Sequence, residues 1–196
     1  LGAMSTIMAA IKEPDYFKAL VLIEPVLFSR PRGIFMRLTS PLKLMRHFPP
    51  LVKRTLRRKT CFPDLDAMFQ NYRKKPIFKG LSDEVLEGYV QGLALKNPEG
   101  SISLGYSPEW EARIYEISGI ADRYVWKNLG RVQMPVLVIR GAITNTLWAS
   151  TLEQMVKGLA EGIPYTMEGA GHLAPLEEPH LTAGIIKDFL NSINET

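Results

Sequence analysis

Pro135-Val136-Leu137-Val138-Ile139-Arg140-Gly141, PVLVIRG, sets the fold class. Four consecutive apolar residues, three of them β-branched, lie between a proline and an Arg-Gly pair. Such a run is too short for a buried helix and reads as a strand covered on both faces, the habit of a parallel sheet. Downstream, Gly141 to Leu147 reads as an exit loop and Ala149 to Leu159 as a helix ended by Gly162. Ile163 to Met167 then makes a strand, Gly169-Ala170-Gly171-His172 a glycine-rich turn, and Pro179 to Ile193 a closing helix whose apolar positions are Leu181, Ile185, Ile186, Phe189 and Leu190. Upstream, Ala19 to Ile23 is a second continuous apolar run, closed by Glu24-Pro25. Before it, Leu1 to Glu13 has the small and apolar residues of a buried helix, stopped at Pro14-Asp15.

Between these parts, Ser29 to Glu116 is punctuated by prolines at 31, 41, 49, 50, 63, 76, 98 and 108, with helical stretches between them. Leu51 to Lys59 carries a basic face. Asp64 to Arg73 spaces Leu65, Met68, Phe69 and Tyr72 as a helix does, and Ser82 precedes Asp83 and Glu84 as a cap precedes an acidic first turn. Ser107-Pro108 is a further start signal, with Trp110, Ile114 and Ile117 on one side. The expected organisation is a core of residues 1–28 and 117–196 interrupted by a helical cap or lid at 29–116. The fold class is α/β, a partial parallel sheet with a helical insert.

The chain has 196 residues, 46% hydrophobic and 22% charged, enough to bury a core and unlike a disordered tail or a collagen-like rod. Its net charge of +4 and pI near 9.2 suggest a polyanion partner, but the average hides a split. Residues 29–80 hold 14 Lys or Arg against Asp64 and Asp66, a net of +12, while the rest of the chain is −8. Nucleic acid is not expected, because Phe35, Phe48, Phe62, Phe69 and Tyr72 recur at packing intervals with Leu and Met rather than among the cations. Leu38, Leu42, Leu44, Met45, Phe48, Leu51, Val52 and Leu56 offer an apolar wall for a hydrophobic substrate. The cations read first as a solvated face; a negatively charged substrate end or a membrane surface is the less favoured partner.

A single cysteine, Cys61, excludes an internal disulfide and a Cys-based zinc site, and three well-separated histidines (His47, His172, His180) argue against a metal cluster. Neither a metal nor an organic cofactor is expected. No run approaches the ~20 apolar residues of a membrane span. Leu1 opens directly on Gly-Ala-Met-Ser, like the interior of a longer sequence, and a cytoplasmic location is the expectation.

Leu1-Gly2-Ala3 before a small-residue helix, then ALVLIEPVLF, a helical insert, PVLVIRG and GAGHLAPLEEP, in that order, resembles the later half of an α/β-hydrolase across the whole chain. In that family a strand enters the elbow G-x-S-x-G, and Leu1-Gly2 match its last two positions. The resemblance implies a nucleophile just before Leu1, Leu1 supplying an oxyanion N–H at a helix N-terminus, and His172 as general base. Members with an Asp nucleophile tend to follow it with Trp and members with Ser more often with Leu, Met or Gln, so Leu1 favours Ser. Where many members carry the triad acid, after PVLVIRG, this sequence has Asn145. The favoured acid is Glu24, at the end of the strand where haloalkane dehalogenases place theirs; Asn145 as a direct hydrogen-bond partner of His172 is the second reading, and Glu168 is a weaker candidate. His180 reads as a solvated helix residue, and His47 as part of the insert's surface or its packing.

The implied function is a serine hydrolase cleaving an ester-like or related apolar substrate through an acyl-enzyme. The alternatives are a non-catalytic ligand-binding protein of the same fold, for which Asn145 is the motive, a relative of the Asp-nucleophile dehalogenases and epoxide hydrolases, or a basic interaction module. The 196-residue chain is expected to be inactive by itself and to leave a sheet edge open.

Overall fold

A computed structural model describes residues 1–29 and 50–194. The first half of the basic segment, with His47 and the wall residues Leu38, Leu42, Leu44, Met45 and Phe48, lies outside the described residues. The chain divides into two compact units, Leu1–Phe35 with Gly119–Thr196, and Met36–Ser118.

The first unit is built on a three-stranded parallel sheet in the order β1 (Leu20–Ile23), β5 (Pro135–Gly141), β6 (Glu161–Met167). Leu20 pairs with Val136 and Ile23 with Ile139; Pro135 pairs with Glu161 and Gly141 with Met167. Alternate residues of β1 and β5 enter two different cores. Leu20, Leu22, Val136 and Val138 pack with Met4, Ile7, Ala10 and Ile11 of α1 (Gly2–Lys12), Val125 of α5 (Pro108–Asn128), and Leu152 and Met155 of α6 (Ala149–Gly158). Val21, Ile23, Leu137 and Ile139 turn the other way, toward Ala174 of α7 (Ala174–Glu177) and toward Ile185 and Phe189 of α8 (Pro179–Asn194). Helices on both faces account for the unbroken apolar runs, since no side of β5 faces water.

Gly162 does not end α6. That helix ends at Gly158 with Leu159 as its cap, and Gly162 lies within β6, where a Cβ would come within 2.8 Å of the Val156 carbonyl oxygen. The glycine serves the close approach of helix to strand. Leu181 and Leu190 of α8 are exposed rather than buried.

The second unit contains α2 (Pro50–Leu56), α3 (Leu65–Arg73), α4 (Asp83–Leu93) and the first part of α5. Asp64 caps α3 by accepting from the Ala67 N–H at 2.7 Å, and Ser82 caps α4 by accepting from Val85 at 3.2 Å. The unit is not all helical. β2 (Cys61–Phe62), β3 (Ala94–Lys96) and β4 (Ile102–Leu104) form an antiparallel sheet in the order β2-β4-β3. Asn97-Pro98-Glu99-Gly100 makes the β3–β4 turn, with Gly100 at φ +90° donating to the Asn97 carbonyl at 3.0 Å. Ser107 and Pro108 do open a helix, but Trp110 is 73% exposed and Ile117 is exposed as well; Pro108 and Ala112 are the buried positions of that stretch. Arg58 forms a bidentate pair with Glu111 at 2.5 and 2.9 Å, and Glu111 also accepts from Tyr115.

Candidate active site

In a parallel sheet all strands end on one edge, and ligands collect there. At that edge β1 delivers Glu24, β5 the loop 142–148 and β6 the loop 168–173. α1 packs on β1 and reaches it through a short connection, so it runs against the strand and its N-terminus, at Leu1, faces the same edge.

Glu24 is 5% exposed and has φ +47°, the described non-glycine residue with a left-handed backbone. A residue bearing a Cβ costs about 1 kcal/mol or more in that conformation and persists where surroundings over-determine it. Those surroundings are a ring of donors. The Gly141 N–H donates to Oε1 at 2.6 Å; the hydroxyls of Thr144 and Thr146 each donate to Oε2 at 2.7 Å. His172 Nδ1 lies 3.0 Å from the same Oε2 and 2.8 Å from the Thr146 hydroxyl.

A carboxylate only accepts, and Thr146 gives its proton to Glu24, so the ring proton of His172 belongs on Nδ1, pointing at both oxygens. Nε2 is left with its lone pair free for proton transfer. Burial by itself raises the pKa of Glu24, but the hydrogen bonds from His172, Thr146, Gly141 and Thr144 outweigh it and hold the carboxyl below its ordinary value.

The loop after β5 is shaped to do this. Arg140, buried, reaches along it to the carbonyls of Leu147 at 3.0 Å and Ala142 at 3.2 Å. The Ile143 N–H donates to Ala170 at 3.1 Å, joining this loop to the histidine turn. A Cβ at Gly141 would collide with the carbonyl oxygens of Ala170 and Gly171, so only glycine lets the two loops close together. Gly169, at φ +74°, and a 2.5 Å bond from the Gly171 N–H to Glu177 complete the histidine turn.

The structure therefore brings Glu24 and His172 together and leaves Asn145 out. Thr144, Asn145 and Thr146 alternate sides, so the two threonines face Glu24 while Asn145 is exposed; no hydrogen bond joins it to His172 among the described residues. Glu168 and His180 are exposed. Thr144, Thr146 and the Gly141 N–H are the groups around Glu24 that sequence reasoning missed; the T-x-T alternation after the strand was the signal for the threonines. No group of three or more His, Cys, Asp or Glu suited to a metal ion occurs among the described residues. No helix is long and apolar enough to cross a membrane, among those residues.

Helices on both faces of a parallel sheet, an acid after one strand and a histidine after another make this the α/β-hydrolase fold. No family profile matches the chain. Over 82 residues, 41% of its length, it is 29% identical to monoacylglycerol lipase ABHD6 of Bos taurus and 30% identical to that of Homo sapiens. Each match spans 24% of the relative, so the chain covers about a quarter of the length of these curated relatives. Among solved structures it is similar to the peroxisomal α/β-hydrolase Lpx1 of Saccharomyces cerevisiae, with a TM-score of 0.76 and 17% identity over 99% of this chain and 51% of that one. It is also similar to E-2-(acetamidomethylene)succinate hydrolase, with a TM-score of 0.71 and 16% identity over 97% of this chain and 63% of the other. The M. tuberculosis esterase Rv0045c is a third, at 0.67 and 16%, covering 96% and 59%.

Proposed function

We propose that this chain supplies the acid and base of a serine-type hydrolase acting on ester-like apolar substrates. The observation that carries the reading is the buried Glu24 carboxylate 3.0 Å from His172 Nδ1 at the sheet edge toward which α1 points its N-terminus. The nucleophile is the residue preceding Leu1. Its hydroxyl attacks the substrate carbonyl as His172 Nε2 takes the proton, and Glu24 holds the imidazolium in place through Nδ1–H. The backbone N–H of Leu1, at the positive end of α1, faces the developing oxyanion. Collapse expels the alcohol, which takes the proton from His172 and leaves an acyl-enzyme; water, deprotonated by the same nitrogen, then releases the acid. The helical insert at residues 29–116 is read as the cap, and the esterase and lipase names among the similar proteins support the substrate class.

The acid's position after β1 also suits a relative with an Asp nucleophile, which forms an alkyl-enzyme instead. A fluorophosphonate applied to protein carrying the residues before Leu1 separates the two. An adduct on a serine next to Leu1 supports the first reading. No adduct, with an alkyl ester trapped on an aspartate there, overturns it in favour of the second.

A further inference from the structure

Glu24 Oε2 accepts from Thr144, Thr146 and His172, and one of these donors also touches another. Thr146 Oγ1 lies 2.7 Å from Oε2 and 2.8 Å from His172 Nδ1, while Nδ1 lies 3.0 Å from the same Oε2. The three atoms close a nearly equilateral triangle with a hydrogen bond along every side. Thr144 is the contrast. It donates to that Oε2 at 2.7 Å and meets the Thr146 hydroxyl at 2.9 Å, but no hydrogen bond joins it to the imidazole among the described residues. The two threonines are alike toward the carboxylate and unlike toward the ring.

A hydroxyl carries a single proton and two lone pairs. Thr146 gives the proton to Oε2 and keeps a lone pair for the Nδ1–H. An imidazole held by one acceptor can still tilt about that bond and carry Nε2 off line; a second acceptor, set to the side of the first, removes that freedom. The hydroxyl is fixed independently of the ring. The branched Cβ of threonine restricts its χ1, and the Thr146 N–H donates to Thr144 Oγ1 at 3.3 Å. The next residue, Leu147, is fully buried, with its carbonyl held by Arg140 at 3.0 Å. A group that orients another needs such support of its own.

We propose that Thr146 is a positioning residue of this site, its hydroxyl clamping the imidazole of His172 to Glu24 so that the proton stays on Nδ1 and Nε2 keeps its lone pair free. The clamp stands on geometry alone; its place in a reaction rests on the hydrolase reading above.

The test compares Thr146→Val, Thr146→Ser and Thr144→Val in protein carrying the residues before Leu1. With isotope-labelled histidine, NMR times the exchange of the His172 Nδ1 proton with water. Thr146→Val loses the hydroxyl and keeps the branched shape, and should speed that exchange about tenfold, the scale of one lost hydrogen bond. Thr146→Ser keeps the hydroxyl on a freer side chain and should stay within about threefold of the wild type. Thr144→Val takes a donor from the same oxygen without touching the ring, and should also stay within about threefold. In steady-state ester hydrolysis Thr146→Val should lower kcat about tenfold to a hundredfold with KM within about twofold, and Thr146→Ser should recover most of it. Unchanged exchange in Thr146→Val, even with a lower kcat or melting temperature, would reduce Thr146 to a structural role and overturn the clamp. Equal acceleration in Thr144→Val, or no recovery with serine, would overturn it as well. Absence of turnover in the wild type sinks the hydrolase reading instead, and proton exchange still decides the clamp.

Discussion

Replacing Asp122 by asparagine should stabilise the protein at pH 8 and leave it unchanged near pH 4. Asp122 is a buried carboxyl on α5, 2% exposed, accepting the Phe28 N–H at 3.0 Å. Four residues along the same helix, Trp126 donates to the Phe28 carbonyl at 2.8 Å, so both backbone groups of Phe28 are gripped. Burial pushes the Asp122 pKa up to about 7, with the Phe28 bond opposing the rise. The folded state thus binds this proton more tightly than the unfolded chain, whose aspartate titrates near 3.8. Its contribution is complete below about pH 4 and drains away as pH rises through 7. At about 1.4 kcal/mol for each tenfold difference in proton affinity, the full loss is about 4 kcal/mol. The substituted amide keeps an acceptor for the Phe28 N–H and has nothing to ionise, so that loss disappears. Urea melts of both proteins at half-unit steps from pH 4 to 8 read it directly, as does melting temperature, at about 2–4 °C per kcal/mol for a chain of this size. A stability difference that stays flat with pH, or a variant less stable than the wild type at pH 8, would refute the reasoning.

Glu24→Gln should lower kcat by about 10⁴, because an amide cannot neutralise the imidazolium, while Asn145→Ala should change it less than threefold; steady-state ester hydrolysis by protein carrying its nucleophile measures both. Glu24 also gives the opposite pH trend to Asp122. Its folded pKa is lowered, so its stabilisation is present above the ordinary glutamate value of 4.5 and is lost as pH falls below it, and acid titration of Glu24→Gln should lack that loss. Gly141→Ala should cost about 1–3 kcal/mol in a denaturant melt through collision with the Ala170 and Gly171 carbonyls, and should reduce activity further by parting the two loops.

The parallel core could be read from residues alone. PVLVIRG and ALVLI have no polar side, which only a strand covered on both faces tolerates, and Asp64, Ser82 and Ser107 announce helix starts by local hydrogen bonds that need no distant partner. The small antiparallel sheet was harder. Cys61–Phe62 and Ala94–Lys96 are two and three residues long and show no alternation, so their pairing with Ile102–Leu104 rests on the Asn97–Gly100 turn and on partners up to 42 residues away.

His172 stood out in the sequence because a glycine turn, a preceding strand and a closing helix are local signals. Its carboxylate neighbour could not be read the same way. Glu24 and Asn145 both sit just past a strand, and local chemistry ranks neither. What distinguishes them in the structure is a left-handed residue at Glu24, which turns the carboxylate into the donors of a loop 117 to 122 residues later, and the alternation that points Thr144 and Thr146 inward and Asn145 out. Hydrogen bonds at that separation exist only once β1 and β5 lie side by side, so residue types named the candidates and the register of two strands decided which of them meet.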